Sequence, residues 1–251
     1  MTKEELNNIK SDDLPFMEAL NKLFSKAIDL KSKDWQIKLC KTRHGNYLWK
    51  VNDRIWDIKQ NIEDVKLIQK LIAAHNPEFG RLDRSSNAGR LIRYDYENFF
   101  LRMGKMKDLF LLLINEVMML NVKKGLGFEK KVLALLAIKY PNFSEIIWAD
   151  IKKYLDKLKP YRNHLAHNGN IQLPDLALID SYYTVKVKHK NLLEELRHES
   201  GISHVQKELV EKFTGVIESW VKNIDQFLKL IYIFLYNPFI ENVSTLIKEG
   251  N

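Results

Sequence analysis

Lys159-Pro160-Tyr161-Arg162-Asn163-His164-Leu165-Ala166-His167-Asn168-Gly169 is the stretch around which the rest of the chain can be read. Asn168-Gly169 is a helix stop signal, so these residues are expected to close a helix. At about 100° per residue, Asn163 and His167 fall about 40° apart on one helix face, and His164 lies about 60° from His167. Arg162 is about 140° from His167, but its long side chain can swing round near a helix end. A cation, an amide and an imidazole are thereby gathered beside a helix C-terminus. An imidazole next to the negative end of a helix dipole suits general acid–base work, and the guanidinium fork suits a pair of phosphoryl oxygens.

Upstream of this stretch, Ile147, Trp148, Ile151, Tyr154, Leu155 and Leu158 form one helical stripe opened by Ser144-Glu145. Before it come a shorter helix, Phe128 to Tyr140, stopped by Pro141, and a long one from about Leu91 to Leu120. Ile55 to Ala73 and Pro15 to Leu30 also carry helical spacing. Between those two the period changes. Trp35-Gln-Ile37-Lys-Leu39 and Tyr47-Leu-Trp49-Lys-Val51 alternate by two around Arg43-His44-Gly45-Asn46, which predicts a small N-terminal β-hairpin whose aromatic face packs on helices or, alternatively, stacks bases. Downstream, Asp175 to Glu199 is ambiguous and is read as helix. Ser203 to Tyr236 is strongly periodic. The best break is Asn76-Pro77-Glu78-Phe79-Gly80, giving residues 1–80 (helices and hairpin) and 81–251 (a helical domain), or one continuous domain.

Composition agrees with a helical reading. The 251 residues are 45% hydrophobic and 29% charged, a globular balance, and ten Gly with six Pro are too few for a many-turned β-sandwich. The single cysteine, Cys40, excludes an intrachain disulfide and a cysteine-based zinc site, so a reducing, cytoplasmic compartment is expected. The formal charge of +8 favours a polyanionic partner. Met-Thr-Lys-Glu-Glu-Leu-Asn-Asn carries no apolar core of a secretory leader. The apolar runs Leu109–Leu120 and Phe227–Ile240 fall short of the roughly 20 residues that cross a bilayer, so no membrane partner is expected.

The Arg162-Asn163-x-x-x-His167 pattern resembles the signature of the HEPN superfamily, α-helical domains in which Arg-x(4–6)-His is a ribonuclease motif. Tyr94-Asp-Tyr-Glu-Asn-Phe-Phe-Leu-Arg102 looks similar to the long helix that precedes the motif in that superfamily, and the likeness covers roughly residues 84 to 236. A second loose match, Arg197 to His204, lacks the Asn and crosses Ser200-Gly201, read as a break between helices. The resemblance implies an all-α HEPN-like bundle and metal-independent RNA cleavage without a cofactor. Attack by the ribose 2′-OH on the adjacent phosphate would leave a 2′,3′-cyclic phosphate or 3′-phosphate end. Arg162, Asn163 and His167 are the implied catalytic residues. A homodimer sharing one site is also implied, and a toxin or defence role with an antitoxin partner is typical of the superfamily.

Secondary candidates surround the motif. His164, Lys159, Arg93 and Arg102 are read as RNA-binding, with Glu97 and Asp95 supporting Arg162; the competing reading of these helix residues is a salt-bridged, solvated face. Lys152, Lys153, Lys157 and Lys159, interrupted by Asp156, could lead a phosphate backbone toward Arg162. Two other readings of the motif stand beside catalysis. One is a non-catalytic HEPN-like module that binds RNA or nucleotides. The other takes His164-x-x-His167 as metal ligands, but no adjacent carboxylate completes a set.

Overall fold

The computed structural model describes residues 10–27, 35–76, 88–169, 174–179, 181 and 199–250. Every regular element among them is helical: α1 (Pro15–Ala27), α2 (Trp35–Lys41), α3 (Arg43–Ala74), α4 (Ala88–Val117), α5 (Phe128–Lys139), α6 (Trp148–Leu155), α7 (Lys159–Asn168) and α8 (Glu199–Gly250). A π-helical stretch, Phe143–Ile147, leads into α6, and 3-10 turns, Ser11–Asp13 and Asp156–Leu158, precede α1 and α7. Residues 174–179 form a further short helix.

The chain folds into two compact units, each discontinuous in sequence. The first comprises Met1–Gln60, Lys105–Leu155 and Asn223–Asn251, and the second Asn61–Gly104 and Asp156–Lys222. The boundary expected near residue 80 lies outside the described residues, as does most of the ambiguous stretch from 175 to 199.

In the first unit, Phe16 of α1 stacks on Tyr232 at 5.0 Å and meets Phe239 edge-on at 5.2 Å, both on α8. Tyr47 of α3 stacks on Phe239 from another side. Its hydroxyl donates to the carbonyl of Val117 at 2.9 Å, and Asn242 Nδ2 donates to the same oxygen at 2.8 Å. Val117 is the last residue of α4, so this carbonyl has no intrahelical partner and two side chains supply one. Burial pushes the Tyr47 hydroxyl well above its ordinary range.

The expected β-hairpin is not present: no strand occurs among the described residues, and residues 35–41 and 43–74 are helices. Five-residue alternation was too short to fix the period. Tyr47, Leu48, Val51, Ile55 and Ile58 are all buried, which is one helical stripe, and Tyr47 and Val51 satisfy both templates. The apparent turn residues form the first turn of α3 instead. Thr42 Oγ1 accepts from the Gly45 amide at 3.1 Å, an N-cap, and its hydroxyl also donates to the Leu39 carbonyl. A Cβ on Gly45 would collide with that carbonyl oxygen, so the glycine marks a close approach of α2 to α3.

Other limits shift. α4 stops at Val117 rather than Leu120, because Met119 and Asn121 adopt left-handed backbone (φ 51° and 55°). Ser200 and Gly201 lie in the first turn of α8 and do not break it. Pro238 sits inside α8, where it removes a backbone donor without ending the helix. Unbroken from Glu199 to Gly250, α8 is long and apolar enough to cross a membrane, at a mean hydropathy of 1.3 over its richest part. Ile224, Leu228, Ile231, Tyr232, Leu235 and Phe239 on it are nevertheless buried in the first unit's core.

The second unit is built on Val65, Ile68 and Ile72 of α3, Ile92, Phe99, Phe100 and Met103 of α4, and Leu209, Phe213 and Ile217 of α8. Amide side chains join its helices. Asn61 Nδ2 donates to the Arg102 carbonyl at 2.9 Å, Gln69 Nε2 to Thr214 at 3.2 Å, and Gln206 Nε2 to His75 at 2.6 Å.

Candidate active site

α7 carries the motif in the second unit. Pro160 stands in its first turn, where a missing amide hydrogen costs nothing. Gly169 closes it as the Asn-Gly signal predicts: at φ 80° it takes the left-handed conformation, and its amide donates to Leu165 at 3.0 Å. Leu165 and Leu158 are the buried anchors. Lys159, Tyr161, Arg162, Asn163, His164 and His167 are all exposed.

Arg162 is held against α4. Its Nη1 donates to the backbone carbonyl of Gly104 at 3.3 Å. Its stem crosses the same glycine, where a Cβ would sit 2.7 Å from Arg162 Cδ and 3.5 Å from Cγ. The neighbouring Tyr161 stacks on Phe100 at 4.8 Å with 14° between ring planes. Phe100 meets Tyr96 edge-on at 4.9 Å, and Tyr96 lies flat on Phe213 of α8 at 3.7 Å. Burial, followed by the nearby Tyr161 hydroxyl, pushes the Tyr96 hydroxyl up to about 12. The motif helix therefore rests on a row of rings that reaches the core.

The α4 candidates divide. Arg93, Glu97, Phe100 and Gly104 follow i, i+4, i+7, i+11 spacing and share one helical stripe, so Arg93 and Glu97 lie on the face that receives Arg162. Arg102 is off that stripe and pairs with Asp64 of α3. Asp95 is buried and its carboxylate lies 3.9 Å from His75 Nε2. Burial raises the Asp95 carboxyl to about 6 and lowers the His75 ring below its ordinary value, both toward the neutral forms.

Asn163 and His167 stand one turn apart on α7, about 6 Å between Cβ atoms. No contact joins Arg162 to His167 among the described residues. The guanidinium faces α4 and the imidazole faces solvent. Nor does any group of three His, Cys, Asp or Glu side chains capable of holding a metal ion occur among the described residues, and His164 and His167 have no third ligand beside them. The sequence assigns no role to Gly104, Phe100 or Tyr161. A glycine in the middle of a 30-residue helix was the available signal, since it costs about 1 kcal/mol relative to Ala and marks close approach.

The Cthe2314-like HEPN family model matches residues 47–227. The chain belongs to the HEPN superfamily. The HEPN match takes in α7, Gly104 and the whole aromatic row, and starts inside α3, well before the span that the sequence resemblance reached. HEPN membership points to a nuclease or RNA-related role at the level of the family. No curated protein and no solved structure matches this chain.

Proposed function

We propose that this HEPN protein is a metal-independent endoribonuclease whose reacting groups are Arg162, Asn163 and His167. The observation that carries the proposal is the motif helix itself. An Arg-Asn-x-x-x-His set stands exposed at a helix end, with the arginine seated on a glycine of α4, inside the matched HEPN span. In the reaction an imidazole takes the proton of a ribose 2′-OH, whose oxygen attacks the adjacent phosphorus. The 5′-oxygen departs with a proton from a second acid, leaving a 2′,3′-cyclic phosphate. Arg162 stabilises the added negative charge on the phosphorane-like transition state, and Asn163 orients the substrate beside His167.

One chain supplies one imidazole on the motif face, so the proposed active unit is a homodimer in which His167 and the partner's His167 act as base and acid. Lys159 and His164 serve as RNA contacts beside the reacting groups, Arg93 and Glu97 support the motif from the α4 stripe, and Arg102 is engaged with Asp64 within the second unit. A cytoplasmic setting, with a toxin or defence role and an antitoxin partner, completes the reading. The exposed free Cys40 is consistent with a reducing compartment.

The test is incubation of pure protein with RNA in EDTA, comparing wild type with His167→Ala. Wild type is expected to cut and the variant to lose about 10²–10⁴-fold. Cleavage that requires added metal would overturn the mechanism. A second reading, a non-catalytic RNA- or nucleotide-binding module, is favoured by the seating of Arg162 on the Gly104 carbonyl, away from His167. Binding of RNA without cutting by a verified dimer would establish it instead.

A further inference from the structure

We propose that Tyr161 is a stacking platform for the nucleobase adjoining the phosphate that Arg162 holds; this rests on the RNA-cleaving reading of the same site and extends it to substrate contacts. Tyr161 is 50% exposed, although it is a large aromatic side chain on a folded helix. One face of its ring lies on Phe100, which is itself 4% exposed. The face turned away from Phe100 is the one on which the proposal places the base. Tyr161 is the outer member of the row that continues through Phe100 and Tyr96 to Phe213, so its plane is fixed before anything binds. A platform already held in place loses little side-chain freedom on binding, which favours affinity.

Charge and spacing agree with a nucleotide as the occupant. Tyr161 stands between Lys159 and Arg162, both exposed, in a chain of net charge +8. Tyr161 contacts α4 at Phe100 and Arg162 contacts it at Gly104, one turn further on, about 6 Å along the helix. The guanidinium and the ring thus meet α4 one helical turn apart, a spacing comparable with that between a nucleotide's phosphate and its base. Stacking on an aromatic ring tolerates any base, because every base has a π-face, so the platform would add affinity with only modest preference.

The experiment uses full-length protein carrying His167→Ala to prevent cutting. Its affinity is measured for a short adenosine-rich oligoribonucleotide and for the same chain with abasic sites. In the Tyr161 background the abasic chain should bind about tenfold more weakly. Tyr161→Phe should keep that difference and Tyr161→Leu should erase it. A Tyr161→Leu protein that still discriminates by the same factor would overturn the platform. Should that variant fail to fold, photocrosslinking of a 5-iodouridine oligonucleotide to the Tyr161 protein decides: an adduct at Tyr161 supports the proposal, and adducts only elsewhere, or none, remove it. The wider reading is scored separately. Cleavage by the His167 protein without any base discrimination discards the platform alone, whereas neither cleavage nor RNA binding discards both.

Discussion

The stem of Arg162 lies across Gly104, and the guanidinium of one donates to the backbone carbonyl of the other at 3.3 Å. Any residue with a Cβ at position 104 would crowd it there, since that Cβ would meet Cδ at 2.7 Å. The glycine thus decides where the arginine of the motif rests.

Gly104→Ala separates stability from function. The new methyl group must displace the Arg162 side chain, which is exposed and can move, while the helix gains up to about 1 kcal/mol in propensity. The expected result is a melting temperature at or above wild type, with RNA cleavage reduced. Cleavage equal to wild type would show that the seat of Arg162 on α4 has no bearing on activity.

Arg162→Lys keeps the charge but offers no planar fork, so it cannot hold two phosphoryl oxygens together. Cleavage should fall by roughly 10²-fold or more with little change in melting temperature, since the side chain is exposed. Near wild-type rates from this variant would mean that charge alone mattered.

Asp95 gives a pH signature. Its carboxyl, ordinarily near 3.8, titrates at about 6 in the fold because burial disfavours the anion. A raised folded value contributes stability that is fully present below pH 4 and is lost as pH rises through 6. Asp95→Asn removes that loss. Melts should match wild type more closely at pH 4 and favour the variant above pH 7, by about 2 kcal/mol or a few degrees. His75 shifts the other way, with stability lost as pH falls through its lowered value, but it is present in both proteins. A variant less stable than wild type at pH 7.5 would mean instead that the carboxylate is charged and paired with His75.

The shared-site proposal predicts concentration dependence. Specific activity should fall on dilution as dimers separate in sedimentation, and activity that holds constant in a clearly monomeric sample would end the proposal. Two Arg162 side chains facing one cleft would also favour an anion, so sulfate should raise the melting temperature more in wild type than in Arg162→Ala.

Legibility in the sequence followed pattern length. The motif helix, its Asn168-Gly169 stop and the long helices were readable because many apolar positions repeat at 3–4 spacing, and a helix C-cap glycine has a specific backbone role. The stretch from 35 to 51 misled because alternation over five residues fits a strand as well as a helix, and because Thr42 turns Arg43-His44-Gly45-Asn46 into a capped helix start. Within the site, the chemistry-bearing residues could be named from their types. Their supports could not, because Phe100 and Gly104 act through proximity to a helix about 60 positions away, which no local pattern encodes.

α8 has a consequence for the order of events during synthesis. Leu209, Phe213 and Ile217 complete one unit, and Ile231, Tyr232, Leu235 and Phe239 complete the other. A nascent chain that has already exposed the entire motif helix therefore still lacks core residues for both units. Tyr96 has no Phe213 to lie on, and the Val117 carbonyl has no Asn242. At about 5–20 residues per second, the ribosome takes several seconds more to supply them. A chain that cuts RNA would thus still be incomplete while its motif helix emerges from the ribosome beside its own messenger.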